Sequence, residues 1–204
     1  MSNIMPNGLP TLTADFELVH AILVIENKQL RVRKMLADNA QESVVGLFRA
    51  RVARDLFNIR AQQLLRAPRM SGLIEAFDVE KPEDARLFLP SQYQSIQRQE
   101  LRLQTLGHAE YILRAGYAKN QLQSLRILIR VFKTQKASMH VNAVGGTQLR
   151  QFRVTMAKTA KLIRATAEVY ERHRSALLTL GLPANNQALQ PLRRAHLSGG
   201  LPIF

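Results

Sequence analysis

Residues 110–168 read EYILRAGYAKNQLQSLRILIRVFKTQKASMHVNAVGGTQLRQFRVTMAKTAKLIRATAE, and this stretch decides the fold. Apolar residues recur in it at three- and four-residue spacing, the period of an α-helix, and strand-like alternation is missing. A loop over 138–146, closing on Gly145 and Gly146, separates two long helical runs. Helices joined by so short a connection pack antiparallel. At about 100° per residue, Ala118, Leu122, Leu125, Ile129 and Phe132 form one apolar stripe. Leu149, Phe152, Met156, Ala160, Ile163, Ala167 and Tyr170 form the matching stripe on the second helix.

The charge of the same stretch is one-sided. Between Glu110 and Glu168 there is no acidic residue, against eleven basic ones. Lys119, Arg126, Arg130 and Lys133 lie roughly 90° to one side of the first stripe. Arg150, Arg153, Lys161 and Arg164 lie roughly 100° from the second, in the same rotational sense. An antiparallel pair related by a twofold axis between the helices carries both rows to one side, whereas a parallel pair would separate them. Apart from Glu168, four residues beyond Arg164, the acid partners at i,i+4 that would neutralise such rows within the chain are missing, so the positive potential is satisfied from outside. A phosphate backbone fits, and these eight residues are the candidate nucleic-acid contacts, with DNA ahead of RNA.

Outward from this hairpin the whole chain agrees. It has 204 residues, a formal net charge of +14, 29 Lys+Arg against 15 Asp+Glu and a pI near 11.0. That is the electrostatic footprint of a nucleic-acid binder, although an anionic membrane or a ribonucleoprotein would leave the same trace. At 46% hydrophobic the chain is too apolar to be disordered throughout. Helical spacing continues almost everywhere, which predicts an all-α protein of long antiparallel hairpins in a bundle.

Five stretches follow. Residues 1–12 are expected to be a disordered N-terminus. Residues 13–67 read as a helical hairpin: Thr13 caps a helix to about Asp38 with Phe16, Val19, Leu23, Leu30 and Met35 inward, and a second helix runs from about Ser43 to Arg66, stopped by Pro68. Residues 68–91, with Gly72, Pro82, Pro90 and a third of the carboxylates, read as an acidic linker with short helical turns. Residues 92–182 form the basic hairpin, its first helix running from about Gln92 to Ala137 with Gly107 and Gly116 as weak points, its second from Thr147 to about Leu180. Residues 183–204 are expected to be a flexible tail, apart from a turn around Leu189 to His196.

Nothing reads as an active site. Without cysteine there is no disulfide, Cys-based zinc site or thiol chemistry. His20, His108, His140, His173 and His196 fall in separate segments without metal-ligand spacing, and His20, in the apolar run Leu18–Ile25, is expected in the core. That run of eight is far short of the roughly 20 residues that cross a bilayer. The chain therefore reads as a soluble intracellular protein without membrane partners. Gly145-Gly146-Thr147 could cradle a phosphate at a helix N-terminus, but without the Walker pattern it reads as an ordinary loop and cap. Tyr111, Tyr117 and Phe132 read as core rather than stacking platforms, and no zinc finger or RNP-type aromatic pair is present. No catalytic residue, metal or cofactor is expected.

Ala167, Tyr170, Arg174, Ala176, Leu177, Leu180 and Gly181 resemble, in order and spacing, the close of the C-terminal helical region of the large fungal transposases of the Kyakuja-Dileera-Zisupton group. Upstream, Leu89-Pro90-Ser91, Glu100-Leu101-Arg102 and Gly107-His108-Ala109 with Leu113 are similar to further blocks of that region, in the same order. The resemblance covers about Leu87 to Arg194. It implies a detached transposase accessory region, nuclear and DNA-associated, without nuclease activity of its own. No catalytic residue is carried over, because the chain has no room for an RNase H-like core. Two other readings stand beside it: a helical scaffold that oligomerises through its apolar stripes or meets an acidic protein, and an RNA-binding small subunit of a ribonucleoprotein particle.

Overall fold

A computed structural model describes residues 9–142 and 145–192, and among them every regular element is helical. Five α-helices follow in order: α1 Leu9–Ala37, α2 Glu42–Arg66, α3 Ser95–Glu100, α4 Gln104–Asn142 and α5 Gly146–Thr179. Three 3-10 turns, Pro68–Met70, Pro82–Asp84 and Pro90–Gln92, lie between α2 and α3. The all-α expectation holds. Residues 1–8 and 193–204, parts of the expected disordered N-terminus and tail, lie outside the described residues.

Boundaries differ where local chemistry is stronger than the apolar pattern. The first helix begins at Leu9, so Thr13 is interior to it rather than its cap. Pro10 sits in the opening turn, where a missing N–H costs nothing because those donors have no intrahelical partner. The long helix expected from Gln92 is broken at 101–103 and then runs unbroken through Gly107 and Gly116. The break is a Schellman cap: Arg102 adopts φ 54°, its N–H donates to Gln99 O (3.1 Å), and Leu103 N–H reaches back to Arg98 O (2.8 Å). The same pair of bonds ends α1 at Asn39 (φ 51°) and α5 at Gly181 (φ 110°).

The chain divides into two compact units, Met1–Leu113 and Arg114–Phe204, so the division falls within α4. In the first unit Leu18, Val19, Ile22, Leu23, Ile25 and Val32 of α1 are buried with Val45, Val52, Ala53, Leu56 and Ile59 of α2. Val19 and Leu23 are fully buried as expected, while Phe16, Leu30 and Met35 are half-buried. His20 is exposed: the helical period, which buries 18, 19, 22, 23 and 25, overrides its apolar neighbours.

The acidic segment 71–91 packs on that hairpin through side chains rather than secondary structure. Gln29 Nε2 donates to Pro82 O (2.8 Å) and Ala85 O (2.9 Å), and Gln63 Nε2 donates to Leu87 O (2.7 Å). Buried carbonyls without a ladder need such donors. Glu83, 2% exposed, accepts from Arg49 through Nε (3.0 Å) and Nη2 (2.6 Å). Burial pushes the Glu83 carboxyl up, but the Arg49 hydrogen bonds, a backbone bond and the charges of Arg49 and Arg33 outweigh it. The group is held below its ordinary value.

In the second unit the rest of α4 pairs with α5. Arg114 lies 3.2 Å from His173, Tyr117 stacks on His173 at 5.5 Å between ring centroids, and Thr159 Oγ1 donates to Gln135 Oε1 (3.0 Å). As residue numbers rise on α4 they fall on α5, so the pair is antiparallel. Ala118, Leu125 and Phe132 are buried on one side of the seam and Ala160, Ile163, Ala167 and Tyr170 on the other. Leu122, Ile129, Leu149, Phe152 and Met156 are half-buried. Both expected stripes thus face inward, and Ile163, 1% exposed, is the position to test. Ile163→Val should lower the unfolding free energy by about 1 kcal/mol in urea denaturation. No measurable change would place Ile163 outside the core.

Candidate nucleic-acid interface

The seam fixes the phase of both helices, and that phase decides where the charges go. Lys119, Arg126, Arg130 and Lys133 of α4 and Arg150, Arg153, Lys161 and Arg164 of α5 are all exposed. Each row sits about a quarter-turn from its buried stripe. Because the helices run antiparallel, equal rotation in the same sense brings both rows onto one flank of the hairpin.

A separate contact agrees. Residues 183–192 fold back along α5 rather than leaving it: Leu189 is buried, Tyr170 Oη donates to Gln190 O (2.6 Å), and Arg174 Nε donates to Leu189 O (2.9 Å). Leu192 N–H donates to Glu171 Oε1 (2.8 Å), and Glu171 lies seven residues beyond Arg164 on the same row of α5. Leu192 also lines a cleft with Arg126 of the α4 row. One short segment is therefore bonded to Glu171, beyond the end of the α5 row, and shares a cleft with Arg126 of the α4 row. The described part of the expected tail is a built layer, and Asn186, whose Oδ1 accepts from Ala188 and Leu189 N–H (3.0 and 3.1 Å), was the signal for its turn.

Not every basic residue of the acid-free stretch joins the flank. Arg114, four residues before Ala118, lies on the stripe and is 2% exposed. Its Nη1 donates to His173 Nδ1, since a guanidinium has no acceptor, and this leaves the imidazole proton on Nε2. Burial first, then the positive charges of Arg114 and Arg172, pushes the His173 pKa down to about 4. His173 is therefore neutral in the fold at pH 7, whereas in the unfolded chain it binds a proton near 6.5. The resulting stability is complete above pH 6.5 and is lost as pH falls toward 4, about 3 kcal/mol in all. Equilibrium unfolding between pH 7 and 4.5 should show this slope in the wild type and lose most of it in His173→Gln. A slope that survives the substitution would assign it to other groups.

Gly145 (φ 102°) precedes α5 as an ordinary glycine turn, with no side-chain cap bond. Of the aromatics expected in the core, Phe132 is buried, and Tyr111 and Tyr117 are half-buried. Among the described residues there is no group of three or more His, Asp or Glu side chains able to hold a metal ion, and no helix long and apolar enough to cross a membrane. Comparison of the chain with protein-family models, with curated proteins and with solved structures finds no match.

Proposed function

We propose that this chain is a non-catalytic nucleic-acid-binding module whose second unit tracks a phosphate backbone along the shared flank of α4 and α5. One observation carries the reading: all eight residues of the two rows are exposed, in a hairpin whose sequence has no acid between Glu110 and Glu168. Such a surface binds phosphates and carries no side-chain set for reading base edges, so the binding is sequence-tolerant. The resemblance of Leu87 to Arg194 to a fungal transposase accessory region favours DNA, and with it a nuclear location, over RNA.

The test is a titration of the whole chain, by fluorescence anisotropy at several salt concentrations, against duplex DNA, structured RNA and heparin. DNA binding is expected to weaken with salt in a log–log plot whose slope is about −0.9 per phosphate neutralised. Salt-independent binding, or no binding to DNA at low salt, would overturn the reading. Divalent-metal-dependent cleavage lost on mutation of one Asp or Glu would overturn its non-catalytic part.

A further inference from the structure

The cleft beside Arg126 holds more than a phosphate needs. Its floor is apolar, made by Leu122, Leu125 and Ile129 of α4, and its far wall is Ala188 and Pro191 of the returning segment. The volume is about 380 Å³, within the range of about 300–1,000 Å³ typical of small-ligand sites. The wall is held by the Tyr170, Glu171 and Arg174 bonds, so the cleft does not depend on a ligand to form it. Arg126 stands at the cleft and in the α4 row together.

An occupant must therefore be apolar and carry or adjoin a negative charge. The surrounding surface of Lys119, Arg130 and Arg164 selects for repeated charge on a chain. A nucleotide in a single strand meets both demands, because its base has apolar faces and its phosphate is one sugar away. In a duplex the bases are stacked and paired, and the cleft is left with nothing to take. Resting on the proposed backbone-binding flank, we infer that this cleft receives one unstacked base of single-stranded DNA, with Arg126 holding the adjoining phosphate or lying against the base. The module then prefers single-stranded or locally opened DNA over intact duplex.

The experiment compares a 12-nucleotide thymidine strand with the same strand made abasic throughout, each titrated against the wild-type chain and against A188F. Ala188 is an exposed residue of the wall, and a phenyl ring there fills the cleft without removing any core group. The thymidine strand is expected to bind the wild type about tenfold tighter than the abasic strand. A188F should lose that preference while keeping the abasic affinity and its salt slope, and L122Q, which makes the floor polar, should do the same. Equal affinity of the wild type for both strands would overturn the cleft and leave the phosphate flank standing. Failure of both strands to bind would remove the flank itself. If a glutamate-rich peptide with one leucine loses affinity in A188F while the strand preference persists, the cleft belongs to a protein partner and the inference falls.

Discussion

Replacing Arg126, Arg130, Arg153, Lys161 and Arg164 together with glutamine is expected to flatten the salt dependence of DNA binding by about 4–5 in log–log slope, about 1 for each residue. The loss should be nearly the same for unrelated DNA sequences, because phosphate contacts set affinity and carry no base information. All five side chains are exposed, so the fold should survive, and unchanged circular dichroism checks that. The decisive comparison is with exposed arginines elsewhere. Arg51, Arg54 and Arg66 lie on α2 in the first unit. Arg60 is unsuitable, since it stacks 4.4 Å over the Phe88 ring and donates to Arg86 O. If neutralising Arg51, Arg54 and Arg66 weakens binding as much as neutralising Arg126, Arg153 and Arg164, there is no defined surface and net charge alone accounts for the affinity.

Arg49→Ala is expected to destabilise the first unit by about 3–5 kcal/mol, because it strips the partner from a carboxylate that stays buried. The Glu83 side chain is 3% exposed and Arg49 22%, and their contact uses both guanidinium Nε and Nη2. Lysine in place of Arg49 supplies a charge but not the fork, so R49K should recover only part of the loss. The double variant R49M with E83L removes both charges and should lie close to the wild type. Urea unfolding of the four proteins measures this. A cost below about 1 kcal/mol for R49A would mean that water reaches Glu83. Acid should weaken the wild type through the same group: its pKa is depressed in the fold, so its contribution is present above the ordinary carboxylate value of 4.5 and fades as pH drops below it.

What the sequence made legible was whatever depends on period. The α4 and α5 stripes follow the 3.6-residue repeat, so burial of Phe132 and Ile163 and exposure of the eight basic residues could be read before any coordinate. Phase also governs the exceptions. Arg114 belongs by charge to the basic set and by phase to the seam, and the seam holds it. His20 belongs by neighbours to the core and by phase to the surface. The acidic segment was harder, since its Pro, Gly and carboxylates are those of a linker. Its partners Gln29, Arg33, Arg49 and Gln63 stand 24 to 56 residues away in sequence, where no local pattern points to them. The Arg126 cleft was invisible for a related reason: half of it is contributed by residues 187–192, expected to belong to a flexible tail with no more than a turn from Leu189.

The segment 186–192 also imposes an order in time. Its fastenings, Tyr170, Glu171 and Arg174, are neighbours on one stretch of α5 and present the right spacing only once that stretch is helical. The loops closed are 15 to 21 residues long, so the entropy of closure is modest and the step is fast and reversible. The expected order is hairpin first and segment second, with the segment as an outer layer that also opens first. The amides of Ala188, Leu189 and Leu192 should accordingly exchange through a local opening while those of α5 near Ile163 stay protected. A protease given brief access should nick this layer before either long helix, and the cleft would come and go with it.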